Sequence, residues 1–347
     1  MPSPTKSQKK GGRRIVRKPS QLESTIKHQK LSLSQLEELP NEVLLNVMRF
    51  LELPDFNRLT QASDRLNDIS PQIWDKITPD NDICIEKVKV SIEEVNKILY
   101  CSCKNLCLKN CQIIGATYLQ DRIENLELYH CDFANGTLET LMFSSHSLKK
   151  FSLTNYTKYN LFHLNLHTFY SRNGQTLQTL NLAFTSILDE KHMNIIVNNC
   201  TALKEVDFSN CHLPFCSLVS FVHGITKNVE KVSLASSNSV TDASIKSLVL
   251  RCNKINSLDL SLNSITDKTL TSLQENLKNT LEELDIGECH FLTLFLGIMS
   301  MPKIKVLNCF KLMEPDVYED RMKNLPQLTN NNPRDKWKGW HNRLHIP

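Results

Sequence analysis

The chain has 347 residues, of which 40% are hydrophobic and 22% charged, and a formal net charge of +4. That balance suits a folded, water-exposed protein; no apolar run reaches the ~18 residues of a membrane span, and the first twenty residues have no apolar core of a secretory signal. Neither membrane insertion nor secretion is expected, so the 12 cysteines are expected to be mostly free thiols in a reducing compartment.

Charge is concentrated at the start. Lys6, Lys9, Lys10, Arg13, Arg14, Arg17 and Lys18 stand among the first twenty residues without an acid, which leaves the remainder near −3 against the total of +4. A slightly acidic body argues against nucleic-acid binding. Residues 1–35 are expected to form a disordered basic arm, with two readings open: a nuclear-import signal or a solubilising tail. The import reading places the protein in nucleus and cytoplasm.

A small helical module is expected over 36–78. From Leu39 to Leu51, Val43, Leu44, Val47, Met48 and Leu51 recur at helical spacing. Pro40 sits at the helix start, where its missing N–H costs nothing, and Glu42 suits the positive end of the dipole. Leu53-Pro54-Asp55 breaks this helix and starts a second with Phe56, Leu59 and Ala62. A third carries Leu66 and Ile69, and Pro71-Gln72-Ile73-Trp74 closes the module. So short a segment cannot hide all its apolar side chains. Some of Leu39, Pro40, Leu44, Leu53 and Trp74 are expected to stay exposed for a partner. A plain N-terminal cap on the following repeats is the other reading.

These residues resemble an F-box: Leu39-Pro40-x-Glu42-Val43-Leu44, then Leu51-x-Leu53-x-Asp55-Phe56, then Ile73-Trp74. The resemblance implies binding to a Skp-type adaptor, and through it to cullin and RING subunits of a ubiquitin ligase. It implies adaptor contacts at Leu39, Pro40, Glu42, Val43, Leu44, Val47, Leu51, Leu53, Phe56 and Trp74. The chain departs from the pattern at Ser63-Asp64-Arg65-Leu66, where many F-boxes have Cys-Lys/Arg-x-Trp. Loss of that Trp is expected to alter packing within the module.

Residues 79–312 read as leucine-rich repeats. An apolar-x-x-apolar-x-apolar signature begins at Leu177, Leu203, Val229, Ile255 and Leu281, always 26 residues apart. Irregular copies begin at Cys103, Ile123, Leu148 and Ile304, and Ile85-x-x-Val88-x-Val90 is expected to be a degenerate first strand. Thr241-Asp242 and Thr266-Asp267 are helix starts, with a capping Thr and a first-turn Asp. Strand plus helix in 26 residues predicts an α/β solenoid, a right-handed horseshoe of parallel strands. Ninth in each unit stands a residue able to bond stray backbone groups: Cys111, Cys131, Thr185, Cys211, Ser237, Asn263 and Cys289. Cys200 and Cys252 fall at helix ends. Those addresses, and an unsuitable spacing, favour core over zinc for Cys101, Cys103, Cys107 and Cys111.

No phosphate-binding glycine loop, metalloprotease motif or nucleophile–base arrangement appears, so no cofactor, metal or catalytic residue is expected and function must lie in surfaces. The predicted concave face presents Glu127, Asn181, Asp207, Asp259 and Asp285, with Tyr129, His130 and Phe184 beside them. Exposed aromatics are the better candidates for substrate anchors.

The period ends at Leu312, and the tail 313–347 carries Leu325-Pro326-Gln327-Leu328, Trp337 and Trp340. Aromatics packed on the array, or inserted in its concave face, would explain them; a simple C-terminal cap is the alternative. Basic arm, F-box, about ten repeats and Trp-bearing tail are together similar to certain F-box/leucine-rich-repeat receptors whose tail folds back along the horseshoe. That resemblance implies phosphorylated cell-cycle targets, such as inhibitors of cyclin-dependent kinases, and a small Cks-type accessory protein. The expected function is a non-catalytic substrate-recognition subunit; a ligase-independent interaction scaffold is the rival.

Overall fold

The computed structural model describes residues 36–48, 51, 59, 62–70, 82–98, 104–115, 118–119, 123–134, 136–156, 166–185, 188–293, 297–298, 301–309 and 312. The N-terminal module contributes α1 (Asn41–Met48) and α2 (Asp64–Ile69). An irregular half follows: β1 (Asp82–Glu86), β2 (Lys89–Ser91), α3 (Ile92–Ile98), β3 (Asn105–Lys109), β4 (Gln112–Ile114), β5 (Asn125–Tyr129), β6 (Asp132–Phe133), α4 (Thr137–Ser144) and β7 (Lys150–Thr154). The regular half contains α5 (Leu166–Asn173), β8 (Thr179–Asn181), α6 (Glu190–Asn199), β9 (Glu205–Asp207), α7 (Phe215–Gly224) and β10 (Lys231–Ser233). It continues with α8 (Asp242–Arg251), β11 (Ser257–Asp259), α9 (Asp267–Leu277), β12 (Glu283–Asp285) and β13 (Val306–Asn308).

Ten strands form one parallel sheet, ordered β1-β3-β5-β7-β8-β9-β10-β11-β12-β13. Its register reproduces the 26-residue period: Thr179 pairs with Glu205, Glu205 with Lys231, Lys231 with Ser257 and Ser257 with Glu283. Leu180, Val206, Val232, Leu258, Leu284 and Leu307 therefore stack in one buried row, each worth roughly 1.5–3 kcal/mol of burial. The first signature position of each regular unit, Leu177, Leu203, Val229, Ile255 and Leu281, is fully buried, and the last is also sealed. This is an α/β solenoid of the leucine-rich-repeat kind.

The first unit differs from the expected one. Ile83 and Ile85 pair with Leu106 and Leu108, so the strand begins three residues before the expected Ile85–Val90 and ends at Glu86. Val88 is in the turn and Val90 belongs to β2, part of a second parallel sheet, β2-β4-β6. Leu106, Leu126 and Phe151 are in register neighbours but only 20 and 25 residues apart. In these shorter units a second strand follows the turn, with Ile113 buried.

Among the described residues, the turns that leave β1 to β12 of the large sheet pass through a left-handed residue: Lys87, Asn110, His130, Asn155, Phe184, Asn210, Ser236, Leu262 and Glu288, φ 49° to 60°. The reason is a ladder. At this bend the N–H points to the next unit, as from Phe184 to Ser209 (3.0 Å), Asn210 to Ala235 (2.9 Å), Ser236 to Ser261 (2.9 Å) and Leu262 to Gly287 (2.9 Å). The conformation costs a non-glycine residue roughly 1–2 kcal/mol, least for Asn, and the neighbouring carbonyl compensates.

The ninth position works as the spacing predicts. Cys211 Sγ donates to Leu182 O (2.9 Å), Cys289 Sγ to Leu260 O (3.1 Å), and Asn263 Nδ2 to Leu234 O (2.8 Å), in each case a carbonyl of the preceding unit. Thr185 Oγ1 donates to Leu182 O (2.7 Å), and Ser237 N donates to Asn263 Oδ1 (2.9 Å). Cys200 and Cys252 cap the C-termini of α6 and α8. Gly174 lies against Asn199 O, where an added Cβ would come within 2.2 Å.

Thr241 caps α8 in a capping box with Ser244, and Thr266 caps α9. Their first-turn aspartates do more than meet the helix dipole. Asp242 accepts from Thr266 N (2.9 Å), Thr266 Oγ1 (2.7 Å) and Thr269 Oγ1 (2.6 Å) of the next unit, and Asp267 accepts from Thr293 N (2.9 Å) in the same way. Burial opposes ionisation of Asp242, but the bonds from Thr269 and Thr266 outweigh it and hold its carboxyl below the usual value. A lowered folded pKa gives stability that is present above the unfolded pKa of ~3.9 and is lost as pH falls through the folded value. Asp242→Asn should therefore be less stable at neutral pH and show a shallower acid limb in urea midpoint against pH. A second expectation concerns Leu262, which is 52% exposed at φ 59°: Leu262→Asn should raise stability by ~1 kcal/mol, read as a higher urea midpoint.

Candidate adaptor and substrate surfaces

In the N-terminal module the helix α1 divides its apolar residues between two sides. Leu44, Leu45 and Met48 are buried, with Leu66 and Ile69 of α2. Val43 and Val47, four residues apart, are 42% and 40% exposed, beside exposed Pro40 and Glu42. Leu44, expected among the exposed adaptor contacts, is instead 0% exposed. Helical geometry gives the reason: a turn of 3.6 residues sets 44, 45 and 48 on one stripe, and 43 and 47 on the next. Leu39 and Leu51 are half-buried and pack on the core. Leu53, Phe56 and Trp74 lie outside the described residues.

Polar residues bind the module where the expected Trp is missing. Arg65 Nη2 donates to Leu39 O (3.0 Å) and Asn41 Oδ1 (2.8 Å), joining α2 to the start of α1. Ser63 Oγ donates to Glu37, and Leu66 is fully buried. The departure at 63–66 is legible in the sequence and these bonds are not, since nothing local shows that Arg65 reaches 26 residues back.

Side chains on the solenoid's concave rows are more occupied than their alternation suggests. Asp207, Asp259 and Asp285, expected as an exposed acidic surface, are buried. Asp207 Oδ1 accepts from Ser209 N (3.0 Å) and Ser209 Oγ (2.6 Å). Asp259 Oδ1 accepts from Ser261 N (3.0 Å) and Oγ (2.8 Å), and its other oxygen from Ser233 Oγ (3.2 Å). Asp285 accepts from Gly287 N (2.9 Å) and Asn308 Nδ2 (2.9 Å). An aspartate here is an acceptor for the N–H two residues on, which it bonds as the strand turns out of the sheet. Asn181 repeats the motif, accepting from Ala183 N (2.9 Å), and remains half-exposed.

The earlier units bring together the other predicted anchors. Tyr129 and Glu127 stand on β5, Tyr129 Oη donates to Glu127, and Lys150 of β7 pairs with the same carboxylate. Lys109 lies over the Tyr129 ring, 5.9 Å from its centroid. Tyr129, expected as an exposed aromatic, is buried, because this charged network surrounds it. His130 is exposed and Phe184 half-exposed, and each occupies a left-handed turn position. His130 meets Asn155 through its ring Nδ1. Trp337 and Trp340 lie outside the described residues, as do Cys101 and Cys103. Among the described residues no group of three or more His, Cys, Asp or Glu side chains is placed to hold a metal, and no helix is long and apolar enough to cross a membrane.

Residues 36–80 match the F-box-like family model. The chain thus combines an F-box-like module with an α/β repeat solenoid. A comparison with curated protein sequences finds no match. Among solved structures, a chain in the crystal structure of the yeast Rad7 and Elc1 complex is similar over 83% of this chain and 86% of that one, with TM-score 0.51 and 14% identity. An internalin (inlF) of Listeria monocytogenes is similar over 74% of each chain, with TM-score 0.44 and 19% identity. Likeness at such identities concerns fold alone.

The buried aspartates separate a structural from a surface role. Asp259→Ala leaves Ser261 N–H and two hydroxyls without their acceptor, a loss of ~1–3 kcal/mol. Chemical denaturation should show it; an unchanged midpoint would return Asp259 to the surface.

Proposed function

We propose that this protein is the substrate-recognition subunit of a Skp–cullin–F-box ubiquitin ligase. The observation that carries this reading is the F-box-like match at 36–80, directly preceding a repeat solenoid. The exposed pair Val43 and Val47 supports it. Their apolar side chains, flanked by Pro40 and Glu42, form a strip that a Skp-type adaptor would cover, and the adaptor would connect the chain to cullin and RING subunits. The chain performs no chemistry in this reading. It holds a target near a partner-bound ubiquitin-conjugating enzyme and supplies proximity.

The finer reading concerns the target. The basic arm and the Trp337/Trp340 tail resemble S-phase kinase-associated protein two, although Gly339-Trp340 reverses that family's Trp-Gly order. On that resemblance the target is a phosphorylated protein such as a cyclin-dependent kinase inhibitor, bound with a Cks-type accessory protein, in nucleus and cytoplasm. Asn181, His130 and Phe184, with Glu127 and Lys150 held over the buried Tyr129, are the side chains proposed to meet it.

Adaptor capture by purified protein tests the main reading. The double variant Val43→Asp/Val47→Asp should keep the wild-type circular dichroism and thermal transition, since both residues are solvent-facing, while losing at least ~100-fold in affinity for a Skp-type adaptor, a change of ~2.7 kcal/mol. Leu44→Ala, which opens a cavity in the module, should instead lower stability by ~2–5 kcal/mol. Undiminished adaptor binding by the folded double variant would leave the ligase-independent scaffold as the better account.

A further inference from the structure

Two cysteines that the proposed function does not use face one another at the N-terminal end of the large sheet. β1 and β3 run parallel with Cys84 directly opposite Cys107. Paired strands lie about 4.8 Å apart, inside the ~4.4–6.8 Å separation of Cα atoms that a disulfide spans. The alternation of each strand puts both thiols on the face away from the core. Ile83 and Ile85 on either side of Cys84 are buried, as are Leu106 and Leu108 around Cys107. Cys84 is exposed and Cys107 half-buried beside it. Among the described residues β1 is the outermost strand of the sheet, so it can move toward β3 without displacing a strand on its other side.

The thiols are chemically unequal. A hydrogen bond from Cys107 brings Cys84 down to about 7; partial burial and Glu86 oppose the shift, and Lys109 assists it. Cys107 is shifted up by the same bond, by burial and by the negative charges of Cys84 and Glu127. At neutral pH this gives Cys84 a substantial thiolate fraction with a protonated thiol next to it, the arrangement that suits reversible oxidation. A neighbouring pair provides contrast. Cys111 and Cys131 occupy equivalent places in adjacent units and share the inequality, a bond from Cys131 bringing Cys111 down to about 6 and the same bond raising Cys131. Both are buried, however, and their thiols donate to Ile85 O (3.5 Å) and Leu108 O (3.3 Å), so burial withholds them from an oxidant.

We propose that Cys84 and Cys107 form a reversible oxidation site that closes to a disulfide in response to hydrogen peroxide. The Cys84 thiolate attacks one peroxide oxygen, the O–O bond breaks, and hydroxide leaves to give a sulfenic acid. Once Cys84 is a neutral sulfenic acid, the bond and the negative charge that held the Cys107 proton are gone. Cys107 gives that proton to the sulfenic oxygen, its thiolate attacks the Cys84 sulfur, the S–O bond breaks, and water leaves as the S–S bond forms. Two thiols and one peroxide become one disulfide and two waters, with both oxidising equivalents supplied by the peroxide. Cys84 is exposed, and exposed disulfides are among the readily reduced ones. The inference is independent of adaptor binding.

Peptide mass spectrometry of the reduced full-length chain, treated with hydrogen peroxide and then alkylated, tests the proposal. The expected product is a Cys84–Cys107 linked peptide that dithiothreitol abolishes, with Cys111 and Cys131 alkylated only after unfolding. In Cys107→Ser the linked peptide should vanish and dimedone should label Cys84; in Cys84→Ser neither product should form. Should either variant misfold, the wild-type native protein provides the decisive rate: iodoacetamide should modify Cys84 at least ~10-fold faster than Cys111 or Cys131. Alkylatable Cys84 and Cys107 after peroxide, linkage of Cys84 to Cys101 or Cys103, a native rate no faster than the buried pair, or irreversible sulfonic acid alone would each overturn it.

Discussion

A solenoid stands only if each unit's backbone groups find partners in the next, and that demand organises the chain. Where a strand turns out of the sheet, N–H and C=O groups would be buried and unpaired, at a cost of ~1–3 kcal/mol each. Three devices prevent it. The left-handed turn residue aims its N–H at the following unit. The ninth-position Cys or Asn returns a bond to the preceding one. Asp242 ties the start of α8 to that of α9, and Asp267 ties α9 to Thr293 of the next unit. Side chains as different as His130, Phe184 and Leu262 are tolerated at the strained bend because what the position uses is its backbone.

The same demand decides what the concave surface has left for recognition. Asp207, Asp259 and Asp285 would look like an acidic docking strip, yet their carboxylate oxygens are engaged by the turns two residues on and by neighbouring strands. In the regular half, stiffness uses up the charge. Accessible variation falls on the irregular units, where half-exposed Lys109, Glu127 and Lys150 gather around buried Tyr129, and on the side chains carried by the turns.

The N-terminal module follows a parallel logic at smaller scale. A core of so few residues cannot cover every apolar group, and α1 resolves this by burying the 44/45/48 stripe and leaving Val43 and Val47 outside. Arg65 then fastens α2 to α1 through a backbone carbonyl and Asn41, and Leu66 fills the interior where many related modules have a larger ring.

Read by itself, the chain determined the repeat period, the α/β solenoid, the capping of α8 and α9, and the backbone-bonding duty of the ninth position. These follow from neighbours in sequence: periodicity, turn chemistry and helix starts are local. The tertiary structure decided what depends on residues 20 to 29 places away. It set the first strand at Asp82–Glu86, where short apolar runs fit two registers until β3 selects one. It separated Leu44 from Val43, since both fit an apolar helix and only packing against α2 says which is covered. It turned three aspartates inward and placed Cys84 across from Cys107. Alternation along a strand tells which face a side chain takes, and only stacking tells what already stands there.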